Sequence, residues 1–237
     1  MTMLQLAVFL GNPGQKYEKN RHNAGRMLTC ALPFFKELGW QQKFKGFYAC
    51  TDYSRVQAAV GSAAGSNGVA DITEIPEKVP AATPPALPAK LHFLIPQAYM
   101  NVSGEPVLAA ASFFKIKLEE IIVVYDEIEL PFGTLSLKFS GGLGGHNGLR
   151  SVKASFGSAD FWRLRIGIGR PDDRVPGKGG NTDRDNGIAG WVLSDFTSAE
   201  KEALVPVFET GAGLLVRALA GGPEKLLPEW AKKSCLF

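Results

Sequence analysis

Six of the seven residues in LQLAVFL, positions 4–10, are apolar, and the run stops at Gly11-Asn12-Pro13-Gly14. A short run of this kind closed by turn residues reads as a buried strand with a tight exit. Similar segments recur along the chain. FYACTDY and KLHFLIP (90–96) are expected strands, IIVVYD is strongly β-branched, and TLSLKFS and FWRLRIGIG alternate with period two. Between them the spacing turns helical. Met27, Leu28, Ala31, Phe34, Phe35 and Leu38 predict a helix over Asn23–Leu38, stopped by Gly39 and kinked or broken at Pro33. Residues 104–115, the segment HNGLRSVKASFG, residues 198–219 and the closing PEKLLPEWAKKSCLF also read as helices.

Strands alternating with helices, without an internal repeat, predict an α/β fold. The expected form is a single-domain α/β/α sandwich with a twisted mixed β-sheet spanning residues 1–237. Two stretches depart from the pattern. Residues 61–90 are rich in Gly, Ala, Ser and Pro, and residues 172–187 contain PGKGGNTDRDNG. Both read as surface inserts.

Composition narrows the function classes. Hydrophobic residues make up 45% and charged residues 21%, ordinary for a globular protein. No run approaches the ~18 consecutive apolar residues of a membrane helix, and the opening segment lacks the basic start of a signal peptide. No membrane partner and a cytoplasmic location are expected, with a monomer as the expected state. Cys30, Cys50 and Cys235 show no CxxC spacing, which argues against a disulfide framework or a zinc site. Cys30 and Cys50 read as small core residues. Net charge is only +3 but unevenly spread: five acids fall between Glu119 and Glu129, and six bases against one acid between Lys138 and Arg170. That asymmetry predicts a locally basic face, with a solvated surface as the simpler account.

The glycine cluster GGLGGHNGLR (141–150) invites a nucleotide reading, which fails. Asn147 stands where a third glycine of GxGxxG belongs, and no GK[ST] follows. HExxH and GxSxG are also missing from the sequence. Of three histidines, His92 lies in an apolar strand and reads as a satisfied core or surface residue. His22, in NRHNAG, and His146 sit at helix starts, where a local cap or surface role is the simpler account for either alone. The odds change with the placement of other polar residues. Asn12, Asn101 and Asp126 follow or end expected strands, and Asn147 opens a helix. In an α/β sheet the carboxyl ends of strands converge on one crevice. A histidine base, a carboxylate to orient it and several carboxamides suit hydrolysis by an activated water.

Five segments, LGNPGQKYEKNRHNAG, QAYMNVSG, VVYDEIELPFG, GGLGGHNGLRSV and FWRLRIGIGRP, occur in an order that resembles the bacterial-type peptidyl-tRNA hydrolase family. The resemblance implies hydrolysis of the ester joining a peptide to the 3′ ribose of tRNA, with no metal, nucleotide or organic cofactor. It implies His22 as general base and Asp126 as its orienting partner. Asn12 is implied to contact the peptide near the scissile ester. Tyr17, Tyr99, Asn101 and Asn147 would line the site for the peptide and the tRNA 3′ end, and Lys138 and Arg165 would clamp the 5′ phosphate of the acceptor stem. The chain departs from the family pattern at Phe9, Asn20, Ile95, Glu129 and Ser136, and Ile95 and Ser136 remove positive charge. Two other classes stay open: an RNA-binding protein on the same fold, and an amidase or esterase indifferent to tRNA.

Overall fold

The computed structural model describes residues 2–63, 90–171 and 184–236. Among these, eight strands form one sheet in the order β2-β3-β4-β1-β5-β7-β6-β8. Four central strands, β4 (Lys90–Pro96), β1 (Leu6–Phe9), β5 (Ile121–Glu127) and β7 (Trp162–Gly167), run parallel. Antiparallel strands flank them: β3 (Gly46–Asp52) and β2 (Gln41–Lys43) on one edge, β6 (Thr134–Phe139) and β8 (Lys233–Ser234) on the other.

The central strands read as unbroken apolar runs because both of their faces are buried. Ala7 and Phe9 point into one core, together with Ile122 and Val124. Leu6, Val8 and Leu10 point into the other, with Ile121, Val123 and Tyr125. The first core is covered by α1 (Ala24–Leu28), α2 (Tyr53–Ala63) and α6 (Ser198–Gly221). The second is covered by α3 (Gly104–Phe114) and α4 (Asn147–Phe156). Helices on both faces of a mixed sheet match the expected α/β/α arrangement.

Three local expectations are corrected. Asn23–Leu38 is not one helix: only Ala24–Leu28 is α-helical, and Thr29–Ala31 and Phe35–Glu37 are 3-10 turns. Pro33 disfavours helical backbone in the residue before it, and Leu32 is extended at ψ 130°. The closing segment is a 3-10 turn and a single helical turn, α7 (Leu227–Trp230), followed by β8 on the sheet edge. Cys30 is exposed rather than part of the core, whereas Cys50, half-buried, packs against the second core as expected. Helix α2 extends into the first insert as far as Ala63. Residues 64–89 and 172–183 lie outside the described residues, so the expected surface inserts are described only at their ends, with α5 (Arg184–Val192) opening inside the second.

Helix α6 is long and apolar enough to cross a membrane by length and composition. Half of its most apolar stretch is buried within the protein, where Leu204, Leu215 and Leu219 join the first core. Thr197 and Glu200 close its start with a reciprocal capping box.

Candidate active site

The carboxyl ends of the parallel strands carry the polar residues singled out in the sequence. The strand order switches sides at β1: β4 lies on one side of it and β5 on the other, all three parallel, which opens a crevice at their carboxyl ends. Asn12 leaves β1, Asp126 ends β5, and the 3-10 turn Met100–Val102 follows β4.

His22 sits in the 3-10 turn Arg21–Asn23, just before α1. Gly25 lets that helix approach the sheet: a Cβ there would stand 2.4 Å from the Val124 carbonyl oxygen. Arg21 fixes the other side of the turn. Its guanidinium donates to Glu200 and to the Asp195 carbonyl, and stacks 3.8 Å from the Trp191 ring centre. His22 Nδ1 is thereby held 2.9 Å from each oxygen of the Asp126 carboxylate, and both residues are buried.

A second histidine meets the same carboxylate. His146 caps α4, accepting from the Leu149 N–H at Nδ1, and its Nε2 lies 3.1 Å from Asp126 Oδ1. An accepting Nδ1 requires the proton on Nε2, so His146 donates to Asp126. Asp126 takes Nδ1–H of His22 in the same way and leaves His22 Nε2 unprotonated.

Electrostatics separates the two rings. Burial disfavours charge on His22, but the Asp126 carboxylate outweighs it and raises the pKa above the usual imidazole value. For His146 burial dominates and lowers the pKa, only partly opposed by Asp126. Burial alone would raise the Asp126 pKa, but the two histidines hold it well below the usual carboxylate range. The ligand atoms of His22, Asp126 and His146 lie within 4.8 Å of one another, a spacing open to a cation. The carboxylate lone pairs already face two ring nitrogens, so a metal ion would have to displace both hydrogen bonds.

The amides are pre-set. Asn23, fully buried, accepts from the Asn12 N–H at 2.8 Å and donates to the Asn12 carbonyl at 3.1 Å. Asn12 Oδ1 accepts from the Met100 N–H at 2.8 Å, which fixes the amide orientation and leaves Nδ2 without a partner among the described residues. The same bond ties the Asn101 turn to the β1 exit. Gly148 sits where a Cβ would meet Met100 Sδ at 2.5 Å and Leu10 Cδ1 at 2.8 Å, so the start of α4, with Asn147, packs on that turn. Asn101 and Asn147 are exposed. Tyr17 and Tyr99 pair edge-to-face at 6.4 Å, with Tyr99 58% exposed. A cavity of about 410 Å³ lies alongside, lined by Glu18, Arg26, Met27, Trp40, Phe47 and Ile95, and neither His22 nor Asp126 lines it.

Lys138 and Arg165 are diagonal neighbours on β6 and β7, since Ser136 faces Arg165 and Lys138 faces Arg163. They differ in their ion pairing. Arg165 donates through Nε and Nη2 to Glu127 Oε2, both at 3.1 Å, whereas Lys138 has no ion pair among the described residues.

A model of the peptidyl-tRNA hydrolase family matches residues 6–235. The chain belongs to that family. It is 39% identical to the peptidyl-tRNA hydrolase of Treponema pallidum (strain Nichols) over 236 residues, 98% of this chain and 97% of that one. It superposes on a peptidyl-tRNA hydrolase bound to N-propanol with a TM-score of 0.68 at 27% identity, covering 97% of this chain and 94% of the other. For peptidyl-tRNA hydrolase from Acinetobacter baumannii the TM-score is 0.63 at 26% identity, over 97% and 94% of the two chains.

Against this peptidyl-tRNA hydrolase frame, two residues outside the expected set belong to the site. His146 acts as the helix cap its position suggests and also reaches Asp126. Its place next to Asn147 in GGHNG was the available signal. Asn23 follows His22 directly, and nothing in its spacing distinguishes it from an ordinary polar residue. His92 is the satisfied histidine expected, 2.7 Å from the Tyr48 hydroxyl and stacked on Phe114, with burial pushing its pKa down to about 4. The basic face is smaller than the charge pattern suggests. Arg163 is buried, and Glu127 and Glu129 from the acidic stretch pair with Arg165 and Arg170.

Proposed function

We propose that His22 is the general base in hydrolysis of the ester between a peptide and the 3′ ribose of tRNA. The observation that carries this reading is the His22 Nδ1–Asp126 contact, which leaves Nε2 free to accept a proton. Nε2 takes a proton from a water molecule as its oxygen attacks the ester carbonyl carbon. The carbonyl π electrons move to oxygen, giving a tetrahedral oxyanion. The imidazolium, stabilised by Asp126, then returns the proton to the departing 3′ oxygen as the ester C–O bond breaks. The products are a free peptide acid and tRNA with an intact 3′ hydroxyl.

Asn12 Nδ2 is the donor best placed for the ester carbonyl, because its other atom is already held by Met100. Asn101, Asn147 and the Tyr17–Tyr99 pair supply the surrounding wall for the peptide and the tRNA 3′ end. Lys138, half-buried at the end of β6, is the cation for the acceptor-stem phosphate. Arg165 joins it only by sharing its guanidinium between phosphate and Glu127.

The test is single-turnover and steady-state hydrolysis of an N-blocked aminoacyl-tRNA by wild type and His22→Ala. The expected loss is roughly 10²–10⁴-fold in kcat, the range for removal of a general base. A folded His22→Ala protein with near wild-type turnover removes His22 from the mechanism.

A further inference from the structure

Arg163 is the largest of the fully buried side chains, with 1% of its surface exposed, and no carboxylate lies within ion-pair distance among the described residues. A desolvated guanidinium persists only where its N–H groups are well bonded. Backbone carbonyls meet that need for the two terminal nitrogens, while Nε is buried without a partner among the described residues. Nη1 donates to Gly142 O at 2.6 Å, and Nη2 donates to Gly141 O at 3.0 Å and Ala159 O at 3.3 Å. The Phe161 ring covers the cation at 4.7 Å.

Two of these acceptors form the root of the loop that delivers His146 and Asn147. That loop is backbone-rich and side-chain-poor. Ser140, Gly141, Gly144 and Gly145 all have positive φ, and glycine backbone has many alternatives to such a path. Within the loop a single turn is hydrogen-bonded, the His146 N–H to the Leu143 carbonyl, so its root depends on partners outside: Arg163, and the bonds of Ser140 to the Phe161 carbonyl and Asp160. A planar fork can hold two successive carbonyls and a third across the gap, which a lysine ammonium cannot match.

We propose that Arg163 is a positioning residue for the hydrolysis, pinning the root of the glycine loop so that His146 Nε2 meets Asp126. The proposal rests on the reading of His22 as base. His146 and His22 donate to one carboxylate. When the His146 donor withdraws, the Asp126 charge is less compensated and holds the His22 proton more tightly. Loss of Arg163 therefore slows the reaction and moves the acid limb of its pH profile upward. A role in packing alone would leave that limb in place.

The experiment measures kcat and the pH dependence of kcat/KM on N-blocked aminoacyl-tRNA for wild type, Arg163→Met and Arg163→Lys, each with and without His146→Ala, alongside thermal melts by circular dichroism. The expected result is a folded Arg163→Met with kcat lower by about 10²-fold, the scale of an ångström-level misplacement, and an acid limb at higher pH. Arg163→Lys should fall between the two. In the His146→Ala background Arg163→Met should move the limb no further, because the coupling runs through His146. An unmoved limb in folded Arg163→Met, or an equal further shift without His146, overturns the proposal. Failure of both variants to fold would make Arg163 a core residue only and also overturn it. A wild-type profile with no acid limb would instead bring down the general-base reading, and the proposal with it.

Discussion

His22 Nδ1 lies 2.9 Å from both oxygens of Asp126, a residue 104 positions further along the chain. The contact spans the first core, from the turn before α1 to the end of β5. It decides which imidazole nitrogen is left free and how tightly the ring holds a proton.

The pH dependence follows from that contact. Burial opposes the charged ring, the Asp126 carboxylate overcomes it, and the His22 pKa is raised. On the general-base reading His22 works in its neutral form, so kcat/KM should rise with pH through a midpoint above the unperturbed value of ~6.5. Asp126→Asn removes the charge that raises the pKa, leaving burial to act alone. The midpoint should fall while kcat drops, with substrate binding affected much less. For stability the sign is opposite to that for activity. The raised pKa contributes stability that is fully present below the unfolded histidine pKa and is lost as pH rises through the folded one. Denaturant titrations across this range, compared between wild type and Asp126→Asn, measure it. A midpoint that stays in place in Asp126→Asn would mean that Asp126 does not tune His22.

Asn23→Ala tests the support beneath Asn12. The substitution removes the acceptor for the buried Asn12 N–H and the donor to its carbonyl. Leaving such groups unpaired costs about 1–3 kcal/mol, readable as a lowered urea midpoint. Activity should fall by more than this stability loss implies at assay temperature, because Asn12 Nδ2 loses its aim. An active variant with only the stability change would show that Asn12 is held well enough by Met100.

Gly25→Ala places a methyl group against backbone that cannot yield, 2.4 Å from the Val124 carbonyl oxygen. Overpacking of this kind costs about 1–3 kcal/mol. It should lift α1 from β5 and separate His22 from Asp126, so stability and kcat should fall together. Equal activity with reduced stability would mean that the His22 turn is anchored by Arg21 alone.

Lys138 and Arg165 should separate when each is replaced by alanine. Lys138→Ala removes a cation that has no ion pair among the described residues and should raise KM for full tRNA with kcat nearly constant, less so as salt increases. On a substrate lacking the acceptor stem it should match wild type. Arg165→Ala leaves the buried Glu127 carboxylate without its cation, held only by the Tyr125 hydroxyl and the Glu129 N–H, so it should also reduce stability and act on both substrates. Equal losses on both substrates for Lys138→Ala would assign it to the fold rather than to RNA.

The central strands and their burial were legible in LQLAVFL and IIVVYD because a strand covered on both faces must be apolar at successive positions. The same logic pointed to the candidate site, since Asn12 and Asp126 come directly after such runs and strand ends share one edge. The broken helix after Ala24 was harder, because apolar spacing continues past Leu28 although backbone geometry before Pro33 does not. Edge strand β8 has almost no pattern of its own, and its pairing depends on where β6 lies. The second role of His146 and the ion pairing of Arg165 were not readable at all. Each depends on a partner distant in sequence or on another strand: His146 on Asp126, and Arg165 on Glu127. Sequence determined which residues form the sheet and which polar groups reach its carboxyl edge, because those follow from local periodicity and chain direction. Only the tertiary structure decided which of those groups share a proton and which charges are already spent, because hydrogen bonds and ion pairs depend on distances of a few ångströms that periodicity does not encode.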